Sequence, residues 1–172
     1  MIFISGVHGV GKSYFCNLLK ERLGISAYTA SQLIAETKQS GFSPDKKVAD
    51  IDQNQQYLLR AVDNLRSQGA EFLLDGHFCL LNANGEITRI PEDTFTRLNP
   101  DAIVLLTDDP NVIVQRRFAR DHVELKVDDI ARFQEAEIMY ANEVAARLGV
   151  PLKVSRGSQD NDDTVNFISE RV

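Results

Sequence analysis

The octet Gly6-Val7-His8-Gly9-Val10-Gly11-Lys12-Ser13 gathers three glycines, a lysine and a hydroxyl into eight positions. Gly6 and Gly11 bracket four residues and precede Lys12 and Ser13, which is the G-x-x-x-x-G-K-[ST] pattern of a phosphate-binding loop. Each residue type has a chemical reason to be there. Glycines let backbone N–H groups close around an oxyanion without Cβ clashes, and a helix that begins at the lysine turns its positive end toward the same oxygens. Lys12 then serves the β- and γ-phosphates, and the Ser13 hydroxyl joins the shell of Mg²⁺. The expected nucleotide contacts are Gly6, His8, Gly9, Val10, Gly11, Lys12, Ser13 and Tyr14.

A second candidate is Asp75, which ends the apolar run Phe72-Leu73-Leu74 and is followed by Gly76-His77-Phe78. An acid at the end of a buried strand can hold Mg²⁺ directly or through water, so the metal set is Ser13 and Asp75. His77 either meets substrate, orients Asp75 or is structural, and His122 has no assigned role. Arg116 and Arg120 stand at i and i+4 and share a helical face, with Arg117 beside them. Such a charge run is ordinarily a solvated face. Phosphoryl transfer, however, gains from arginines that neutralise the transferring group, and a polar lid can deliver them. The catalytic set is therefore Lys12, Asp75, Arg116 and Arg120, with Arg117 and Arg156 added to the nucleotide contacts.

These side chains need elements to hold them. Ile2-Phe3-Ile4 reads as a buried strand, and residues 12–23 as a helix stopped by Gly24. A short strand at 26–29, a helix over 31–40, a turn at 41–45 and a long helix over 50–68 follow, the last ended by Gly69. Residues 71–75 and 101–107 are short continuous apolar runs, the pattern of strands covered on both faces. Between them Asn84-Gly85 signals a hairpin. Asp109-Pro110 is an N-cap and first helical residue for a helix through Arg117 or beyond. Ile130, Phe133, Tyr140, Val144 and Leu148 mark one face of a helix over 128–148, and a fifth strand at 151–155 and a closing helix over 163–172 complete the chain. Strands alternating with helices predict an α/β fold, a parallel sheet with ligands at the carboxyl ends of its strands.

The chain has 172 residues, 43% hydrophobic and 26% charged, which suits one domain with a substantial core. Its net charge of −6 argues against a surface that binds nucleic acid generally, so any anion site is local. Cys16 and Cys79 follow no metal-binding spacing and read as buried thiols. The N-terminal segment lacks a basic region and no run is long enough to span a membrane, from which a cytoplasmic location is expected.

Taken in order, GVHGVGKS, LLDGHF, TDDPNVIVQRRFARD and PLKVS resemble the P-loop nucleoside monophosphate kinases. The likeness is to the compact archaeal-type adenylate kinases, which carry D-T-H after the corresponding strand, and to the eukaryotic nuclear adenylate kinase–ATPase. It implies a three-layer fold with strand order 2-3-1-4-5, an acceptor-binding helical segment around 30–68, a lid around 116–128, and ATP with Mg²⁺ as cofactors. Two departures stand out. Ala35 occupies a position where an acceptor-binding arginine is usual, which leaves Lys38, Lys46, Lys47, Arg60 and Arg66 as the cations of that region. Gly76 replaces the threonine of the archaeal motif.

The expected activity is ATP–Mg²⁺-dependent phosphoryl transfer to a small acceptor, first a nucleoside monophosphate, alternatively a hydroxyl compound for which Asp75 would serve as base. The other class is a P-loop ATPase that acts on a protein or ribonucleoprotein partner.

Overall fold

The computed structural model describes residues 1–39 and 51–172, so the predicted turn at 41–45, Lys46, Lys47 and Asp50 lie outside the described residues. Five strands form one parallel sheet: β1 (Ile2–Ser5), β2 (Ser26–Thr29), β3 (Phe72–Asp75), β6 (Ala102–Thr107) and β7 (Leu152–Arg156). Their spatial order is β2-β3-β1-β6-β7. Counting only these five, that is the 2-3-1-4-5 arrangement implied by the resemblance. The predicted hairpin is a separate antiparallel pair, β4 (Cys79–Leu81) and β5 (Ile87–Arg89).

Helices cover both faces of the sheet: α1 (Lys12–Leu23), α2 (Ala30–Gln39), α3 (Ile51–Ser67), α4 (Glu92–Leu98), α5 (Pro110–Asp121), α6 (Val127–Leu148) and α7 (Asn161–Ser169). The period of two in β1 sorts its side chains between two cores. Phe3 joins Val62, Leu74, Phe78, Phe95 and Tyr140 on the α3–α6 side, whereas Ile2 and Ile4 join Phe15, Leu19, Val104, Val165 and Ile168 on the α1–α7 side. Each fully buried side chain of this size contributes about 1.5–3 kcal/mol. All six residues of β6 are buried, as its unbroken apolar run predicts.

Most helix boundaries follow their local signals. Asp109 caps α5 by accepting from the Asn111 N–H at 2.8 Å, with Pro110 in the first turn. Gly24, Gly69 and Gly149 take left-handed backbone angles where helices stop. Helix α4 was not anticipated, because its seven residues Glu92–Leu98 are too short to show a period. The closing helix begins at Asn161 and ends at Ser169, earlier than expected, after a 3₁₀ turn over Gly157–Asp160. Helix α5 runs to Asp121, so the segment expected as a lid comprises its second half, a loop over 122–126 and the start of α6. Cys16 and Cys79 are buried free thiols. Among the described residues no helix is long and apolar enough to cross a membrane.

Candidate active site

The glycine-rich loop leaves β1 at Ser5 and enters α1 at Lys12, with positive φ at Gly6 (146°), Gly9 (90°) and Gly11 (112°). Space restricts two of these further. A Cβ on Gly6 would stand 2.5 Å from the Leu106 carbonyl oxygen, and one on Gly9 would stand 2.7 Å from the stem of Arg117. The loop is thereby pressed between β6 and α5, leaving its helix-entering end toward the cavity.

Lys12, expected to reach phosphate, is buried, with Nζ donating to the Gly6 carbonyl at 2.6 Å and standing 3.8 Å from Asp75 Oδ1. Asp75 comes to that place because β3 pairs with β1 and β2 in register, Asp75 opposite both Ile4 and Thr29 at the carboxyl end of the sheet. Burial lowers the pKa of Lys12 and raises that of Asp75, while their mutual attraction opposes both shifts. Gly76 follows, its N–H donating to the Ile4 carbonyl at 2.9 Å. A Cβ on Gly76 would meet the Phe3 ring at 2.8 Å, which explains the glycine where threonine is usual in the archaeal motif.

His77 and His8 face one another with ring centroids 4.4 Å apart. Burial, and then the charge of Lys12, drive the His77 pKa down to about 2, and the same two causes lower that of His8. His77 is thus a neutral imidazole beside the loop. Its Nδ1 lies 4.0 Å from Oε1 of Glu137, a residue that sequence reasoning missed. Glu137 is fully buried on α6 and accepts from the backbone N–H of Phe78 at 2.9 Å, from that of Cys79 at 2.8 Å and from Ser5 Oγ at 2.5 Å. The signal was present: Glu137 falls four residues after Phe133 and seven before Val144, an acid within the apolar face of α6.

The arginines divide. Arg116 pairs with Asp108 Oδ2 at 2.8 Å and donates to the Val10 carbonyl at 3.3 Å. Arg120 forms a two-pronged pair with Asp121, at 2.7 and 2.8 Å, on the exposed side of α5. Arg117 lays its stem on Gly9 and pairs with Asp121 at 2.8 Å. Arg156, at the end of β7, is exposed, and its N–H donates to Asp160.

Two cavities meet at this centre. The larger, about 640 Å³, is bounded by Gly9, Lys12, Ser13, Asp75, His77, Arg116 and Arg120 at one end and by Ile34, Leu58, Leu80, Phe95 and Leu98 at the other. The smaller, about 310 Å³, lies between Val10, Gly11, Thr107, Asp108, Ser155 and Gly157. Tyr14, well exposed, and Arg116 border both. Gly11 of the loop therefore stands between the larger chamber, which Lys12 also lines, and a second, narrower slot. Two cations of the acceptor segment are engaged elsewhere: Lys38 donates to Asn54 Oδ1 at 2.6 Å, and Arg66 donates to the Leu98 and Asn99 carbonyls.

For Mg²⁺ the wall offers the hydroxyl of Ser13 and the carboxylate of Asp75, both hard oxygen donors. Among the described residues no group of three or more His, Cys, Asp or Glu side chains could hold a metal unaided. That donor set fits a cation that takes most of its ligands from phosphate and water.

The AAA domain family matches residues 5–134. A putative adenylate kinase of Methanocaldococcus jannaschii is 26% identical over 129 residues, covering 73% of this chain and 62% of that protein. The adenylate kinase of Methanoculleus marisnigri is 27% identical and is covered, like this chain, over 97% of its length. Among solved structures, a sugar kinase from Janibacter sp. HTCC2649 superposes with a TM-score of 0.55 at 16% identity, covering 99% of this chain and 92% of that one.

Proposed function

The chain belongs to the AAA domain family, and from that premise we propose that this P-loop kinase-type domain moves the γ-phosphoryl of ATP to a small acceptor in the larger cavity. The observation that carries the reading is the placement of Lys12 Nζ, buried between the Gly6 carbonyl and Asp75 at the wall of the larger cavity, next to Gly11, which borders both cavities. A triphosphate wrapped by the loop would set its base toward the narrower slot and its γ-phosphate toward the chamber. Lys12 would exchange its Gly6 contact for phosphate oxygens. Arg116, at the border of both cavities, and Arg120, at the chamber, would neutralise charge as the phosphoryl group transfers. Tyr14, Arg117 and Arg156 are the further nucleotide contacts in this reading. Mg²⁺, held through Ser13 and Asp75, would supply charge compensation across the phosphates.

The acceptor we favour is a nucleoside monophosphate, on the strength of the archaeal relatives named adenylate kinases. Its phosphate is already an anion, so positioning and charge neutralisation suffice and no strong base is required. A hydroxyl acceptor is the second reading, favoured by two observations. The chamber wall away from the loop carries the uncharged polar side chains Gln55 and Thr94 among its apolar ones, and burial raises the pKa of Asp75 in the direction a base requires.

The test is ADP release from ATP–Mg²⁺ with adenosine, guanosine, cytidine and uridine and with their 5′-monophosphates. Acceptor-dependent release and a phosphorylated product support the kinase; faster transfer to a nucleoside than to its monophosphate moves the assignment to the second reading. ADP release that is the same with and without every acceptor rejects transfer to this class of acceptor.

A further inference from the structure

We propose that Glu137 is a positioning residue for phosphoryl transfer: from α6 its carboxylate ties the last residue of β1, Ser5, to the turn after Asp75, and so fixes the phosphate loop and the Asp75–His77 segment in one register around Lys12. The inference rests on the kinase reading above.

The geometry is specific. One carboxylate oxygen takes the two successive N–H groups of Phe78 and Cys79, at 2.9 and 2.8 Å, and the other takes Ser5 Oγ at 2.5 Å. Ser5 is the residue before Gly6, whose carbonyl holds Lys12, and Phe78 is the residue after His77. A single side chain therefore pins both approaches to the Lys12–Asp75 pair. Glu137 touches neither cavity and is buried completely, so it acts through these neighbours rather than on a substrate.

Burying a carboxylate carries a desolvation penalty that an apolar residue on the same helix face would avoid. What an apolar residue cannot do is accept from three donors that leave two different strands. Burial raises the pKa of Glu137, and the donors from Ser5, Cys79 and Phe78, with the charge of Lys12, oppose that shift. Helix α6 also begins directly after the 122–126 loop, so the same helix that anchors the arginine-bearing segment carries the clamp.

The experiment compares Glu137→Gln, Ser5→Ala and the parent for kcat, KM of ATP and thermal midpoint, with Lys12→Ala alongside. In Glu137→Gln the amide oxygen can still accept from Phe78 and Cys79, but Ser5 faces an N–H₂ group and must reverse its hydroxyl. The expected result is a kcat at least about 10-fold lower, KM within about 3-fold and a midpoint within a few degrees, with a smaller kcat loss in Ser5→Ala. A Glu137→Gln enzyme with parental kcat overturns the inference, as does a loss explained wholly by a lower folded fraction. If Lys12→Ala itself retains parental activity, the kinase reading fails, and the inference with it. Inactive Lys12→Ala beside parental Glu137→Gln rejects the clamp alone.

Discussion

Lys12 Nζ and Asp75 Oδ1 stand 3.8 Å apart in a part of the molecule that water barely reaches, while the same ammonium rests on the Gly6 carbonyl. The pair is a resting arrangement that phosphate oxygens can replace. Lys12→Met keeps the apolar stem and removes the charge. It is expected to lower transfer at least about 10³-fold, as loss of a preorganised charge at the transferring group does. Thermal unfolding should shift by only a few degrees, because the stem packing survives. ADP release and a melting curve on the same preparation decide the matter; a folded variant with near-parental turnover removes the nucleotide site.

Asp75→Asn separates a metal holder from a base. If Asp75 holds Mg²⁺, the variant is impaired with every acceptor and excess Mg²⁺ partly restores it. If it accepts a proton from a hydroxyl acceptor, the variant instead loses a pH-dependent limb of the rate that no metal concentration returns. Rate measured against pH and Mg²⁺ distinguishes the two, and parental rates at low Mg²⁺ reject both.

Arg116 and Arg120 were expected to act alike, but their surroundings differ. Arg116 borders both cavities and touches the Val10 carbonyl in the loop, so Arg116→Ala should raise KM for ATP as well as lower kcat. Arg120 borders only the larger cavity and its Asp121 pair is on the surface; Arg120→Ala should lower kcat with KM for ATP nearly unchanged. Steady-state kinetics over a range of ATP concentrations tests the split. The thermal midpoint should be nearly unchanged for Arg120→Ala, a surface change.

His77 gives a pH dependence of known sign. Its folded pKa is about 2 against 6.5 for the free group, so an unfolded chain binds a proton near pH 6.5 that the folded chain refuses. The stability carried by neutral His77 is complete above pH 6.5 and is lost as pH falls from 6.5 toward 2. His8 is shifted the same way and adds to the slope. His77→Asn should therefore flatten the fall of the thermal midpoint between pH 7 and 5, leaving the part due to His8. An unchanged slope would mean that His77 binds its proton in the folded state.

The sequence carried the framework of the site further than its contacts. The loop, the strand ending at Asp75 and the cap at Asp109-Pro110 are local signals, each set by a few neighbouring residues. The burial of Lys12 beside Asp75 was not legible because it depends on β3 lying beside β1, a pairing across some seventy residues that no local pattern encodes. Glu137 was missed for a related reason. Its helix face was legible, but its three donors come from the end of β1, the turn after β3 and the start of β4, and only the folded chain brings them together. Helix α4 escaped because about two turns cannot display a helical period.

The Phe3 ring that fills the space above Gly76 also constrains how such a chain can change over time. A lineage carrying the D-T-H form of this turn needs room for a side chain where the ring now stands, so positions 3 and 76 should covary among relatives, a bulky aromatic with glycine and a smaller residue with threonine. Drift at either position alone is obstructed: enlarging residue 76 first overpacks the core, and shrinking residue 3 first leaves a void beside Phe78 and Phe95, whose rings lie 5.2 and 5.6 Å from that of Phe3.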